Sequence, residues 1–252
     1  MDKNRIVIWW STGAASAVAA RIVLAETPKA MLVRTETNNE DPDNYRFEKD
    51  VLHFLGVPLT ILQSDKYNSV YDVWVGERYM AGIHGASCSR AMKVRPRLSF
   101  SKPYDLNVFG YTFDKNDRNR FQRLKDNYPE MKVRAPLIEQ KFTKAHCLSL
   151  IKRWGIELPR SYAMGFPNAN CLQTGCVKAG SPDYWSLYRK HFPEQFAKTA
   201  ALARELGIQL ATIKGERVFI DEIPANWPTT RPIVPVCDFL CQASALELDF
   251  LT

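Results

Sequence analysis

The pattern of apolar and polar positions near the start of the chain alternates between two kinds of segment. Residues 5–10 form a short apolar run, and after a turn of small and polar residues an Ala-rich stretch with strong helix propensity covers residues 14–25. The same order then repeats, with a strand predicted at 30–34, a helix at 43–55 and a strand at 59–62. Strand–helix alternation of this kind predicts an α/β fold with a parallel sheet and helices on its faces.

The rest of the chain predicts a further buried strand, several helices and, from Gly207 onward, a short strand with a hairpin around 218–220. A buried strand is predicted at 106–111, a basic helix at 117–126 and another helix at 143–154. A loop rich in Asn, Pro, Gly and Cys follows at 165–182, and a helical pair is predicted at about 183–206. We therefore expect a helical and irregular C-terminal extension that covers the carboxyl ends of the strands.

Composition narrows the class of protein. The chain has 252 residues with 46% hydrophobic, 12% aromatic and 24% charged residues, which is typical of a globular protein and excludes disorder, collagen and coiled coil as its main state. No run approaches the ~20 apolar residues of a membrane span, and the start does not resemble a cleavable leader. We therefore expect a cytoplasmic protein without a membrane partner.

The charge balance allows an anionic ligand. With 34 Lys+Arg against 27 Asp+Glu the formal net charge is +7, which fits a small anion or a nucleic acid but requires neither. Guanidinium groups match phosphate and sulfate oxygens bidentately, whereas a basic cluster can also be a solvated face. Both interpretations stay open for the clustered basic residues, which are Arg90, Lys93, Arg95, Arg118 and Arg120.

The turn after the first predicted strand, Ser11–Ser16, is a candidate phosphate cradle. Its small residues let backbone N–H groups approach a phosphate, its hydroxyls can donate hydrogen bonds, and the following helix N-terminus adds partial positive charge. A tight turn that only permits close packing is the equal alternative. Just before it, strand alternation predicts that one of Trp9 and Trp10 is buried and that the other lines the pocket.

Five of the six cysteines form a second constellation. Cys171 and Cys176 are one close pair, Cys237 and Cys241 are another, and Cys88 lies in a Gly/Ser loop. Short thiolate spacings of this kind are what zinc and iron–sulfur clusters require, although free buried thiols are the alternative. We predict a metal site with four ligands from these five residues, whereas the sixth, Cys147, is predicted to lie in the core.

Four motifs in chain order resemble one family. The Ser-x-Gly-x-x-Ser turn at 11–16 resembles the PP-loop of the ATP pyrophosphatases and the PAPS reductase family, the adenine nucleotide alpha hydrolases. Residues 36–40 resemble the family's Asp-Thr-Gly-Asn-Glu loop, and 88–96 resemble its Cys-x-x-Arg-Lys-x-x-Pro segment with one extra residue. Residues 110–114, followed by Arg118, resemble the loop that holds the adenine side. The resemblance spans residues 6 to about 180.

The resemblance implies a fold, a domain organisation and a ligand. It implies a HUP or Rossmann-like domain at 1–164 that binds an adenine nucleotide (ATP, APS or PAPS), with a cysteine-containing extension at 165–252 packed on it. By the resemblance, the nucleotide would contact Ser11, Thr12, Gly13, Ser16, Glu36, Thr37, Asn38, Gly110, Tyr111 and Arg118. The iron–sulfur APS reductases have a similar cysteine spacing to Cys88, Cys171 and Cys176, so the resemblance favours a [4Fe-4S] cluster, with zinc as the alternative.

Departures from the family pattern shape the functional prediction. Thr12 replaces a glycine and Ala15 replaces the loop aspartate that would help to organise a metal-bound pyrophosphate. The Glu-Cys-Gly-Leu-His tail of assimilatory PAPS reductases is missing, and the Asn170–Ala179 segment looks most like PAPS-reductase-like proteins of bacteriophages. These departures disfavour a simple role in sulfate assimilation.

Three functions stay open on this basis. The leading one is a PAPS-reductase-like enzyme, such as an ATP-dependent sulfurtransferase, that acts through nucleotide activation or sulfur transfer to a small molecule or a nucleic acid (tRNA or DNA). A true PAPS or APS reductase is the first alternative and would need Cys237 or Cys241 as its nucleophile. A non-catalytic nucleotide-binding module is the second, because Ala15 replaces the aspartate. A homodimer is a further expectation, and the sequence identifies no catalytic residue.

Overall fold

The computed structural model describes residues 5–82, 85–169 and 171–228. The strands within these ranges are β1 (Ile6–Trp9), β2 (Met31–Thr35), β3 (Leu59–Leu62), β4 (Ala81–Gly82), β5 (Gly85–Ala86), β6 (Leu106–Val108), β7 (Val133–Arg134), β8 (Ala211–Ile213) and β9 (Glu216–Val218). The α-helices are α1 (Ala14–Glu26), α2 (Pro42–Leu55), α3 (Val70–Glu77), α4 (Ser87–Ser89), α5 (Arg95–Phe100), α6 (Lys115–Asn127), α7 (Pro136–Glu139), α8 (Lys144–Arg153), α9 (Arg160–Ala163), α10 (Pro182–His191) and α11 (Pro193–Glu205). A π-helical turn, Arg90–Val94, joins α4 to α5, and a 3₁₀ turn covers Ile220–Glu222.

Two compact units divide the chain. Among the described residues, the first unit comprises 5–36, 42–63 and 96–159, and the second comprises 37–41, 64–95 and 160–228. Each unit therefore draws on three separate stretches of the sequence.

The first unit is built on a five-stranded sheet with the order β3-β2-β1-β6-β7, in which every neighbouring pair is parallel. Val7 in β1 lies opposite Met31 of β2 on one side and Asn107 of β6 on the other. With its flanking helices, this sheet confirms the predicted Rossmann-like α/β fold class.

Apolar side chains of the sheet and its helices form the core of the first unit. Ile8 of β1 packs in one cluster with Val18 of α1 and with Phe47 and Val51 of α2. Cys147 of α8 is fully buried in the same cluster, which confirms its predicted role as a core residue. Because parallel sheets are covered on both faces, β1 is a continuous apolar run rather than an alternating one.

The second unit has its own core, built mainly by helices. Trp74 of α3, Met92 of the π-helical turn, and Trp185 and Tyr188 of α10 are buried in one cluster. Helix α10 begins where the Ser181 hydroxyl accepts a hydrogen bond from the Asp183 backbone N–H. The antiparallel pair β8–β9 completes this unit, so the described part of the C-terminal extension is helical with one short hairpin.

Within residues 5–82, 85–169 and 171–228, every helix is too short or too polar to cross a lipid bilayer.

Candidate nucleotide and cysteine sites

The strand order of the first unit creates a crevice at the carboxyl end of β1. Strand β1 has β2 on one side and β6 on the other, so the chain leaves the sheet in opposite directions from β1 and β6. Open parallel sheets bind ligands at such a switch point. Two loops border it here, residues 10–13 after β1 and residues 109–114 after β6.

These two loops touch without intervening side chains. A Cβ added to Gly110 would lie 2.9 Å from both the Cα and the N of Ser16 in the first turn of α1. Real Cβ atoms essentially never approach backbone so closely. Gly110 therefore lets the β6 loop reach the helix N-terminus.

Hydrogen bonds between its own residues hold the β1–α1 loop. The Ser16 hydroxyl donates to the Gly13 carbonyl over 2.9 Å and accepts from the Ser11 backbone N–H over 3.2 Å. The Ser11 and Ser16 hydroxyl oxygens lie 3.0 Å apart. Ser16 is buried and Ser11 is half-buried, so Ser11 presents the more accessible hydroxyl.

Two residues of this segment, Thr12 and Ala15, depart from the glycine and the aspartate of the PP-loop pattern. Thr12 has φ of 55°, a left-handed conformation that is unfavourable for a β-branched residue, and it is almost fully buried. Ala15 is buried in the first helical turn, which contains no acidic residue, and Gly13 gives the helix no side-chain cap. The positive end of the α1 dipole is thus not offset by any carboxylate of its own first turn.

Behind the loop, a buried ion-pair cluster holds Glu36. The Arg34 guanidinium donates to Glu36 over 2.8 Å, and the Tyr45 hydroxyl donates to the other carboxylate oxygen over 3.1 Å. Arg34 also lies 2.7 Å from Glu48, which accepts a hydrogen bond from the Trp10 indole. Burial, only partly offset by Arg34, raises the pKa of Glu48 above its ordinary value. Sequence reasoning missed Arg34 and Glu48, because neither belongs to a motif.

The predicted burial of only one tryptophan was wrong. Trp9 and Trp10 are 2% and 3% exposed, and each indole N–H has a buried acceptor, Asn107 for Trp9 and Glu48 for Trp10. Alternation does place them on opposite faces, but both faces of a parallel sheet are covered.

The remaining predicted nucleotide contacts divide between the two units. Tyr111 is buried in the first unit, where its ring centroid lies 5.6 Å from that of Phe121. Arg118 is exposed on α6, and its guanidinium lies over the Phe113 ring at 4.6 Å. Thr37 and Asn38 belong to the second unit, where the Asn38 side chain donates to the Asn68 carbonyl over 2.7 Å.

Three of the predicted metal ligands line one pocket of the second unit. Cys88, Cys171 and Cys176 share this pocket with Lys93 and Lys178. Thr37, Asn39 and Trp74 also contribute to its lining. Cys88, which was predicted to lie in a loop, lies in the short helix α4 instead, whereas Cys171 and Cys176 belong to a loop as predicted. Their presence in one pocket agrees with the spacing that the sequence singled out.

The thiols of this pocket differ in acidity. Cys171 donates a hydrogen bond to the Cys176 sulfur, and this bond lowers the pKa of Cys176 to about 7 against the effect of burial. The same bond, together with burial, raises the pKa of Cys171. Burial, and next the nearby Cys176, raises the pKa of Cys88 to about 11. Cys176 is therefore the thiol of this group closest to the thiolate form that metals bind.

The donor types suit a thiolate-bound metal, but the described residues do not complete a site. Within residues 5–82, 85–169 and 171–228, no group of three or more Cys, His, Asp and Glu side chains is arranged to hold a metal ion. Cys237 and Cys241, the other predicted ligands, lie outside the described residues. The lysines of the pocket carry the positive charge that would offset thiolate ligands. The metal site therefore stays a prediction.

The clustered basic residues have different surroundings. Arg90 forms an ion pair with Glu77 at 2.9 Å, Lys93 lines the cysteine pocket, and Arg95 is exposed. Arg120 is buried and donates to Asp117 over 2.8 Å. These basic residues therefore form neither one anion-binding cluster nor one solvent-exposed face.

Comparison with known proteins gives a similarity in structure alone. The chain is similar to the crystal structure of phosphoadenylyl-sulfate (PAPS) reductase from Candida auris in a phosphate complex, with a TM-score of 0.49 and 12% sequence identity. The similarity covers 67% of this chain and 82% of that chain. No family model and no curated protein matches the sequence.

Proposed function

We propose that the first unit binds an adenine nucleotide whose phosphates lie at the β1–α1 loop. The observation that carries this proposal is the contact between Gly110 and the backbone of Ser16 at the switch point of the sheet. As a glycine, residue 110 places no side chain of the loop after β6 against the N-terminus of α1. Such a crevice, bordered by a helix N-terminus, is where α/β sheets receive phosphorylated ligands.

Electrostatics supports an anionic group at this loop. The 13-residue helix α1 has Gly13 at its N-cap and no acidic residue in its first turn. Its partial positive charge, together with the Ser11 hydroxyl, favours a phosphate there by about 1 kcal/mol or more. The resemblance of residues 11–16 to the PP-loop supplies the choice of an adenine nucleotide among phosphorylated ligands.

The reaction that we propose is nucleotide activation or sulfur transfer of the PAPS-reductase-like type, as in a phage-type enzyme. ATP, APS and PAPS are the candidate substrates, and a small molecule, a tRNA or a DNA is the acceptor, which the net charge of +7 accommodates. In this proposal residues 1–164 hold the nucleotide and residues 165–252 supply cysteines. Four cysteines would hold a [4Fe-4S] cluster in this proposal: Cys88, Cys171, Cys176 and one of Cys237 and Cys241. The bound cluster would transfer electrons during the sulfur chemistry or stabilise charge that develops on the substrate.

One specific observation favours a second candidate, a binding module without catalysis. Ala15 leaves the first turn of α1 without the carboxylate that the PP-loop pattern has there. Pyrophosphate release from ATP separates the enzyme from the module, and sulfite release from PAPS identifies a true reductase. A reductase also requires that Cys237→Ser or Cys241→Ser abolishes sulfite release.

Calorimetry with ATP, APS and PAPS tests the binding proposal. We expect saturable binding of at least one of them, and we expect Ser16→Glu to abolish it because a carboxylate at the helix N-terminus repels phosphate. Ser161→Ala is the control, since it also alters a fully buried serine but lies in the second unit. If the folded native chain binds no adenine nucleotide at millimolar concentration, the proposal is wrong.

A further inference from the structure

Arg97 is a buried arginine without a counter-charge. It lies in α5 within the first unit and is 2% exposed. Among the described residues, its Nε and Nη2 atoms have no hydrogen-bond partner, and no carboxylate forms an ion pair with it. Burial lowers the pKa of Arg97 to about 10, so the side chain is still protonated at neutral pH.

Arg120 leaves the same two atoms unused. It is 5% exposed in α6, and its Nη1 donates to Asp117 Oδ1 over 2.8 Å. Asp117 is itself fixed, because its other oxygen accepts hydrogen bonds from the backbone N–H and the hydroxyl of Thr112. The Nε and Nη2 atoms of Arg120 have no hydrogen-bond partner within the part of the chain that the structure describes.

Tyr111 is a neighbour of Arg120 and lies within electrostatic reach of Arg97. The Arg120 guanidinium carbon is 5.8 Å from the centroid of the Tyr111 ring. Arg97 is near enough to Tyr111 and Tyr128 for both phenol groups to influence its charge. Tyr111 is therefore close to the Arg120 guanidinium and within electrostatic reach of Arg97, in the same unit.

Unpaired buried guanidinium groups are costly. A buried donor without a partner loses its hydration without compensation, and a buried charge loses far more. Nε and Nη2 form one edge of the planar guanidinium, and this edge matches two oxygens of a phosphate, sulfate or carboxylate group. The same edge is unsatisfied in both residues.

We propose that Arg97 and Arg120 form a buried oxyanion site beside Tyr111, and that it takes a phosphate or sulfate group. Arg120 pairs with the Asp117 carboxylate, whereas no carboxylate of the described residues forms an ion pair with Arg97, so the charge of Arg97 suits an anion rather than a neutral ligand. The oxygens of a tetrahedral group can receive one bidentate edge from each arginine. This proposal does not depend on phosphate binding at the β1–α1 loop.

Thermal unfolding of the full chain with inorganic ions tests the site. Sodium phosphate and sodium sulfate are titrated through the low millimolar range, while chloride keeps the ionic strength constant. We expect saturable stabilisation, because an ion that binds only the folded chain raises its unfolding temperature. Stabilisation that rises without saturation is a general salt effect and would overturn the proposal.

Variants then locate the effect. We expect Arg97→Met to weaken ion binding at least about 30-fold, as for loss of one partner of a buried charge pair. In chloride alone this variant should unfold no lower than the native chain, since methionine removes an uncompensated charge at similar length. A markedly lower unfolding temperature in chloride would show that the protein itself satisfies Arg97, which contradicts the site.

Two further variants keep the test decisive if Arg97→Met does not fold. Arg120→Lys keeps the charge but removes the planar edge, so ion binding should weaken there as well. Arg123→Gln removes an exposed charge from the same helix and should bind the ions like the native chain. Equal ion binding by Arg120→Lys and the native chain would contradict the proposal.

A competition experiment identifies the source of the oxyanion. If inorganic phosphate displaces ATP from the native chain but not from Arg97→Met, the site holds a group of the nucleotide. If phosphate and ATP bind additively, and phosphate binding alone is lost in Arg97→Met, the site holds a free ion. A failure of ATP to bind, with phosphate still bound in an Arg97-dependent way, would reject the proposed function and leave this site in place.

Discussion

Arg5 and Asp105 join the starts of two neighbouring strands by a bidentate ion pair. Arg5 Nε and Nη2 donate to the two carboxylate oxygens of Asp105 over 2.8 and 2.6 Å. The Leu106 backbone N–H also donates to the Arg5 carbonyl over 2.8 Å. This pair therefore sets the register of β1 against β6, the two strands that border the proposed nucleotide crevice.

Replacing this carboxylate should make stability less dependent on pH. Burial alone would raise the pKa of Asp105, but the hydrogen bonds from Arg5 and from the Lys102 backbone hold it below its ordinary value. A lowered folded-state pKa contributes stability above the ordinary carboxyl pKa, and this contribution is lost as the pH falls through the folded-state value. We expect Asp105→Asn to lower the unfolding free energy by about 2 kcal/mol at neutral pH, and by less in acid.

Urea unfolding of native chain and variant, from neutral pH down to acid, measures this difference. Asp126→Asn, which removes an exposed carboxylate from α6, is the control and should change little. A deficit in Asp105→Asn that stays constant over the whole range would contradict the charge-based explanation.

A side chain at Gly110 should damage the nucleotide crevice. Gly110→Ala forces the β6 loop or the first turn of α1 to move, because the new Cβ would lie 2.9 Å from backbone atoms of Ser16. We expect a loss of about 1–3 kcal/mol in unfolding free energy, as for other overpacked positions. Gly180→Ala is the matched control, since nothing lies within 4 Å of its added Cβ.

Calorimetry with an adenine nucleotide on the same two variants separates the site from the fold. Gly110→Ala should bind less tightly at a temperature where it is fully folded, whereas Gly180→Ala should bind normally. Native affinity in folded Gly110→Ala would mean that the crevice does not hold the nucleotide.

The backbone conformation of Thr12 predicts that a glycine at this position is more stable than an alanine, the reverse of the usual order. At ordinary helical or extended positions alanine is the more stabilising residue, but Thr12 has φ of 55°, where only glycine is unstrained. We expect Thr12→Gly to be more stable than Thr12→Ala by about 1 kcal/mol in urea unfolding. Both variants lose the threonine hydroxyl, so their difference isolates the backbone conformation.

The cysteine pocket predicts the metal content of the full chain. Protein prepared without oxygen should contain iron and sulfide with a brown colour, or one equivalent of zinc without colour. Cys88→Ser and Cys176→Ser should each lower the metal content, because both side chains line the pocket. Cys147→Ala, which changes a core residue of the first unit, should retain it. Metal-free native protein with freely titrating thiols would exclude the site.

The periodicity of the sequence predicted four of the five strands of the sheet, because each of the four is a short apolar run. Strand β7, with the two half-buried residues Val133 and Arg134, has no such run and was not predicted. The apolar runs at 5–10 and 59–62 became β1 and β3, and the Ala-rich stretch became α1. Burial on both faces was harder to predict, as Trp9 and Trp10 show. Alternation assigns a face to a side chain, but only the helices packed on each face determine whether that face is covered.

From the sequence, a candidate site could be predicted only where its residues lie close together along the chain. The turn at 11–16 and the pair Cys171 and Cys176 are local, so spacing identified them. The oxyanion site brings together Arg97 of α5 and Arg120 of α6, and in a linear sequence both look like members of ordinary basic clusters. Their unusual property is that the buried Nε and Nη2 atoms of each lack a hydrogen-bond partner within the described structure, and sequence carries no signal for this.

The interleaving of the two units has a consequence for synthesis on the ribosome. The core of the second unit combines Trp74 and Met92 with Trp185 and Tyr188, which leave the ribosome about ninety residues later. Until then, Trp74 and Met92 of the nascent chain lack the side chains of α10 that complete their core. The last strand and helix of the first unit are complete by residue 159, so this unit can fold before the ribosome has made the rest of the second unit. A translation stop after residue 159 and before α10 would leave a folded first unit and an incomplete second unit with exposed apolar side chains. Chaperones bind intermediates of this kind.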